Sequence, residues 1–143
     1  MPDRDPPRMH PLTVLVVDDA RSERVLLRHA LTDLHRRLTI LEAGDHAEAL
    51  ALFQKRAIDI VFLDIRMPGI GGIELLQDIL ELDPGAFVVM VSHFSTREHV
   101  VRALRLGAAD FVVKPFSYAK LAEIFARYDA EGAEAVRLSG PAA

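Results

Sequence analysis

Ile58-Asp59-Ile60-Val61-Phe62-Leu63-Asp64-Ile65-Arg66-Met67-Pro68-Gly69 is the stretch that decides the fold. Its apolar run is long enough for a strand buried on both faces and too short for a helix. Pro68 and Gly69 then stop regular structure almost at once. Asp64 is therefore expected at the C-terminal lip of a buried strand over 59–63, with its carboxylate facing a crevice.

Working outward toward the N-terminus, residues 47–56 carry Ala47, Leu50, Ala51 and Phe53 at helical spacing, after a turn at Gly44-Asp45 and a short strand over 38–42. Before that, Val25, Leu26, Leu27, Ala30, Leu31 and Leu34 predict a helix over 22–34, with Ser22 as its N-cap. Leu12-Thr13-Val14-Leu15-Val16-Val17 reads as another strand buried on both faces, ending in Asp18-Asp19. Residues 1–11 are charged and proline-rich and are read as a disordered leader; they lack the apolar stretch of a signal peptide.

Toward the C-terminus, Gly71-Gly72 leads into a helix carrying Ile73, Leu75, Leu76, Ile79 and Leu80, and Asp83-Pro84-Gly85 is a turn signal. A buried strand over 86–91 ends at Ser92. A helix over 96–106 follows, with Gly107 as its C′ cap. A fifth strand over 110–113 ends at Lys114-Pro115, and Leu121, Ile124 and Phe125 mark a last helix over 118–128. The stretch 129–143 is rich in Ala and Gly without a usable period and is expected to fray as a flexible tail.

Five strands alternating with five helices predict a parallel sheet covered on both faces, joined by right-handed crossovers, in one domain over 12–128. The strands are continuous apolar runs, as a sheet buried on both sides requires. The chain has 143 residues, half of them apolar, which supplies a core without staples. It contains no cysteine, which excludes a disulfide framework and thiol chemistry and fits a cytoplasmic protein. The formal charge of −4 gives no global basic field for nucleic acid, and no apolar run approaches the ~20 residues of a membrane span.

In open α/β sheets, ligands bind outside the carboxyl ends of the strands, where the strand order reverses. The first strand delivers Asp18 and Asp19 to that edge, the third Asp64, the fourth Ser92 and the fifth Lys114; the second delivers nothing obvious. Clustered carboxylates repel unless a cation or proton sits among them. A hard divalent ion such as Mg²⁺ takes oxygen ligands. An Asp can also act as a nucleophile that accepts a phosphoryl group as an acyl phosphate, whose equatorial oxygens then need cations and donors. Each residue alone has an ordinary reading as a cap, a turn or a surface charge. Their joint arrival at one edge is the signal.

The acidic pair Asp18-Asp19, the block Leu63-Asp64-Ile65-Arg66-Met67-Pro68-Gly69, Ser92, Phe111 and Lys114-Pro115 together resemble the receiver domain of two-component response regulators, the CheY-like family. The resemblance covers about 12–128. It implies a doubly wound (βα)5 sandwich with strand order 2-1-3-4-5. It also implies that Asp64 accepts a phosphoryl group from the phosphohistidine of a sensor histidine kinase or histidine phosphotransfer protein. Asp19, Asp64 and the Arg66 backbone carbonyl would ligate Mg²⁺, for which Mn²⁺ can substitute, with Asp18 acting largely through metal-bound water. Lys114 would bridge to the phosphoryl oxygens. Ser92 would shift toward them, and Phe111 would turn inward as Ser92 moves. The Lys114-Pro115 peptide would be cis.

In the family, the positions of Arg66 and His93 tune phosphoryl lifetime. Arg66 would lean over the site or point to solvent; His93 would be a rim residue or a base. The readout surface would be the fourth helix, fifth strand and fifth helix, where Arg97, His99, Arg102 and Arg105 make a partner face, a dimer face or plain surface charge. The chain would be a signalling domain rather than an enzyme, limited to its own phosphorylation and slow dephosphorylation. The stretch after Tyr128 is too short for an output domain, so action through a downstream partner, as a relay or as a phosphate sink is expected.

Three rivals share parts of this pattern. An FMN-binding flavodoxin-like protein needs a hydroxyl- and glycine-rich loop where Asp18-Asp19 stands. A Mg²⁺-dependent phosphatase of the haloacid-dehalogenase type wants a second acid where Arg66 stands. A structural, non-phosphorylated receiver would lack one of the key side chains, and none is missing.

Overall fold

The structure is a computed structural model and describes residues 11–66, 71–93 and 96–139, the side chains of 133–139 excepted. The leader up to residue 10, the Met67-Pro68-Gly69 turn and residues 140–143 lie outside the described residues. Along the chain run β1 (Leu12–Val17), α1 (Arg21–Thr32), β2 (Leu38–Ala43), α2 (His46–Lys55) and β3 (Ile60–Asp64). They are followed by α3 (Gly72–Leu82), β4 (Phe87–Ser92), α4 (Arg97–Arg105), β5 (Asp110–Val113) and α5 (Tyr118–Ser139). The strands form one parallel sheet in the order β2-β1-β3-β4-β5.

Alternate strand residues point to opposite faces, and this sorts the core into two layers. Val14, Val16, Phe62, Val89 and Val91 pack with Leu27 and Leu31 of α1 and with Leu121, Ile124 and Phe125 of α5. Leu15, Val17, Val61, Leu63, Val88 and Met90 pack on the other side with Ala49 of α2, Leu75, Leu76 and Ile79 of α3 and Ala103 of α4. Phe62 and Phe125 stack across the first layer with ring centroids 6.4 Å apart. All five residues of β3 are buried, so the strand that ends in Asp64 is the central one in packing as well as in order.

Register carries the strand ends to one edge. Asp64 pairs with Val91, and Ser92 pairs with Val113 immediately before Lys114. The chain order reverses between β1 and β3, so Asp18 and Asp64 flank the crevice that this topology opens. Gly107 has φ +113°, the left-handed conformation expected of a residue that terminates α4. The Lys114-Pro115 peptide is cis.

Two boundaries differ from the sequence reading. Ser22 is not the N-cap of α1; Ala20 is, without a side-chain cap bond. The cause is Asp18, whose Oδ1 accepts the Ala20 N–H at 2.9 Å and makes the turn early. The Ala20 carbonyl already accepts from Glu23 and Arg24, so Ser22 lies inside the first turn. The second difference is α5, which continues past Tyr128 to Ser139. Arg36 holds Asp129 through two contacts of 2.9 and 3.2 Å, and the Tyr128 hydroxyl donates to Asp59 at 3.2 Å. These ties fix the helix where its apolar stripe has run out, and the alanines beyond favour continuation.

Gly72 sets the distance between α3 and the end of β3. A Cβ there would collide with the Asp64 carbonyl oxygen and stand 2.8 Å from the Ile65 Cα, both backbone and unable to yield. At Gly71 a Cβ would stand 3.1 Å from the Glu74 carboxylate, which can swing away, and 3.8 Å, an ordinary contact, from the Ile65 carbonyl oxygen. Gly72→Ala is expected to lower unfolding free energy by about 2 kcal/mol or more, whereas Gly71→Ala stays within about 0.5 kcal/mol, both measured by urea denaturation.

Candidate functional site

Four polar or charged residues are buried among the described residues: Asp18, Asp64, Ser92 and Lys114. All four lie at the C-terminal edge of the sheet, at the ends of β1, β3, β4 and β5. Burying an unpaired charge is costly, so such groups occur paired or around an ion. The Lys114 Nζ is 2.7 Å from Asp18 Oδ2, 3.0 Å from Glu23 Oε1 and 3.7 Å from Asp64 Oδ2. One ammonium thus neutralises part of a cluster of four carboxylates that also includes exposed Asp19.

Local backbone fixes each acid. Asp64 Oδ1 accepts the Arg66 N–H at 3.0 Å, which turns the carboxylate back over the strand end. Asp18 is held by its bond to Ala20 N–H and by its own N–H to the Ala43 carbonyl. Carboxylate oxygens of Asp18, Asp19 and Asp64 all lie within 4.8 Å of one another. This donor set suits a hard, oxygen-seeking divalent cation such as Mg²⁺, and the chain's own lysine leaves the Asp19 side of the cluster open.

Burial pushes the Asp64 carboxyl up to about 6; the Arg66 N–H opposes this, the Asp18 charge adds to it and the Lys114 charge opposes it. Burial alone would lower the Lys114 ammonium, but the bonds to Asp18 and Glu23, with the charges of Asp64 and Asp18, raise it above its ordinary value. It stays a cation.

The remaining expected residues fall as follows. Phe111 is buried against the α3–α4 side of the sheet, so its ring already points inward. His93 is at the rim, with its side chain 57% exposed and Nε2 at 3.4 Å from Glu23 Oε1. Arg66 is exposed and borders a cavity of about 330 Å³ with Ile65, Ile73, His99 and Arg102, on the α3–α4 side of Asp64.

The strand-end reading missed Glu23 and Arg24, on the first turn of α1. Arg24 Nη1 donates to the Asp18 carbonyl at 2.6 Å, and its Nε donates to Glu42 Oε1 at 2.9 Å. The second strand, read as contributing nothing, therefore braces the back of Asp18 through Glu42. The available signal was an acid one turn after Asp-Asp, legible only once the helix is known to start before Ser22.

Residues 14–126 match the response regulator receiver domain. The chain is 42% identical over 114 residues to the protein CcdB of Bacillus subtilis strain 168, covering 80% of this chain and 94% of that one. It is 34% identical over 110 residues to the chemotaxis protein CheY of Thermotoga maritima, covering 77% and 91%. Among solved structures, the CheX-CheY-BeF3-Mg²⁺ complex from Borrelia burgdorferi matches with TM-score 0.73 at 34% identity, over 80% of this chain and 87% of that one. The chain belongs to the response regulator receiver domain family and is CheY-like: a signalling domain of two-component systems. Relatives that are protein-glutamate methylesterases also match, but the chain spans only about a third of their length.

The raised Asp64 carboxyl has a signed consequence. Between about pH 4 and 6 the folded, metal-free chain binds a proton at Asp64 that the unfolded chain has released, so this residue's contribution to stability falls as pH rises. In EDTA, Asp64→Asn is expected to be more stable than the unaltered chain at pH 7 by about 2 kcal/mol. The gap should close below about pH 4, as read by urea unfolding at a series of pH values.

Proposed function

We propose that Asp64 is the phospho-acceptor and that the chain takes its phosphoryl group from the phosphohistidine of a sensor histidine kinase or a histidine phosphotransfer protein. The observation that carries this is that Asp64 and the three other buried polar side chains, Asp18, Ser92 and Lys114, gather at one edge of the sheet. An Asp64 oxygen attacks phosphorus, the P–N bond breaks with its electron pair going to the ring nitrogen, and the imidazole, already protonated on its other nitrogen, leaves neutral. The product is an acyl phosphate on Asp64, returned to carboxylate by water.

Asp19, Asp64 and the Arg66 backbone carbonyl would hold Mg²⁺, or Mn²⁺ in its place, with Asp18 acting largely through metal-bound water. The ion supplies positive charge to the phosphoryl oxygens and lets the carboxylates stay ionised together. Arg66 N–H orients the Asp64 carboxylate. Lys114 places an ammonium within reach of a group on Asp64 Oδ2. Ser92, buried on the adjacent strand, supplies a hydroxyl for another phosphoryl oxygen. Arg66 and His93 stand at the rim, where they control water access and so phosphoryl lifetime.

A phosphoryl group brings roughly two negative charges and strong acceptor oxygens, and it shifts an equilibrium only through contacts that differ between two states. The shift of Ser92 and Lys114 toward it supplies those contacts. Phe111, already inward, adjusts its packing beside them. The readout surface is the face of α4, β5 and α5, where Leu104, Val113 and Tyr118 are exposed beside Arg97, Arg102 and Arg105. It suits a downstream protein partner or a second copy of the chain. No described helix is long and apolar enough to cross a membrane, and the reading places the domain in the cytoplasm, without multiple-turnover enzyme activity and without direct nucleic-acid binding.

Incubation with Mg²⁺ and acetyl phosphate, read by intact mass, is expected to give one phosphoryl adduct that disappears in Asp64→Asn and in EDTA. An adduct that survives Asp64→Asn, or none in the unaltered chain, contradicts the assignment.

A further inference from the structure

Glu23 belongs to no strand end, yet it makes the second-shortest contact to the buried ammonium. We infer that Glu23 is a positioning residue that holds Lys114 on the α1 side of the site and competes for it with a phosphoryl group on Asp64. The inference rests on the phospho-acceptor reading of Asp64.

Lysine has three N–H donors. Asp18 takes one in a hydrogen bond of 2.7 Å and Glu23 Oε1 pairs with the same ammonium at 3.0 Å, while Asp64 Oδ2 stands at 3.7 Å, outside hydrogen-bond distance. In the unphosphorylated chain the ammonium is therefore committed away from the acceptor. The commitment is firm because α1 cannot drift: Arg24, the next residue, is fixed to the Asp18 carbonyl and to Glu42. His93 Nε2 lies 3.4 Å from the same Glu23 Oε1, on the β4 side.

A new phosphoryl group places about two negative charges beside this carboxylate. Glu23 then opposes it twice, as a like charge and as the rival acceptor for Lys114. A cavity of about 250 Å³ lined by Glu23, Leu26, Ala30, His93, Pro115 and Phe116 lies beside the contact and gives the carboxylate room to withdraw when the lysine is taken. Glu23 thus sets how strongly the site favours its empty form.

The test is equilibrium binding of beryllium trifluoride, a tetrahedral phosphoryl mimic, in excess Mg²⁺, followed by fluorine NMR. Glu23→Gln is expected to bind roughly fivefold more tightly than the unaltered chain, the size of a partly buried charge-pair effect. Glu23→Asp, which restores the acid, should return affinity toward the unaltered value. In a Lys114→Ala background, Glu23→Gln should give a clearly smaller gain, because only the like-charge part of its effect survives without the lysine. Equal affinity of Glu23→Gln and the unaltered chain overturns the inference, as does an undiminished gain in the Lys114→Ala background. Failure of the unaltered chain to bind the mimic overturns the phospho-acceptor reading itself, and this inference with it.

Discussion

A single buried ammonium holds the acidic edge of this domain together. Lys114 lies at the end of β5, yet its Nζ reaches Asp18 at the end of β1 and approaches Asp64 at the end of β3. Its long stem crosses the edge of the sheet while the charge sits among carboxylates, a task for which an unbranched four-carbon side chain is suited. Without that charge, Asp18, Asp64 and Glu23 would be a set of like charges partly out of water, and a buried charge stripped of its partner is among the more destabilising defects a protein can carry. The site is strained in favour of a cation: the one it carries leaves Asp64 with a raised affinity for protons.

The sheet exists in the form that makes this arrangement cheap elsewhere. The central strands are apolar on both faces, and the polar side chains buried among the described residues all lie at the carboxyl edge of the sheet. Parallel strands with right-handed crossovers send every strand end to that same edge, and the order reversal between β1 and β3 opens it. Gly72 lets α3 begin almost in contact with the Asp64 carbonyl, so the Asp64 backbone is gripped from one side while Arg66 N–H holds its carboxylate. The face of α4, β5 and α5 proposed as the readout lies beside Ser92, which sits on β4 between Asp64 of β3 and Val113 of β5. That adjacency gives a local charge change a short route to a surface.

Much of this was legible from residues alone. Buried parallel strands announce themselves as short apolar runs, and their last residues are the site, so Asp18, Asp64, Ser92 and Lys114 could be read off strand ends once the alternation with helices was recognised. The resemblance to receiver domains then gave the strand order and the cis Lys114-Pro115 peptide, both of which the structure has. What could not be read depends on contacts between elements far apart in the chain. Glu23 matters because α1 packs its first turn toward the end of β5, and nothing in the local sequence of α1 says so. Ser22 looked like a cap because it is a serine before an apolar period; Asp18 pre-empted it by forming the turn itself. The length of α5 was hidden because the sequence after Tyr128 carries no apolar period, while Tyr128 and Asp129 are tied to Asp59 and Arg36 of other elements.

The central claim is that Lys114 is the structural counterion of the acidic edge and that a divalent cation can take over that duty. Urea unfolding of Lys114→Ala, in EDTA and again in excess Mg²⁺ at pH 7, tests it most directly. The account predicts a loss of about 3 kcal/mol or more without metal, and recovery of much of it when Mg²⁺ is added. Unaltered stability in EDTA, or a loss that Mg²⁺ does not repair, would contradict it.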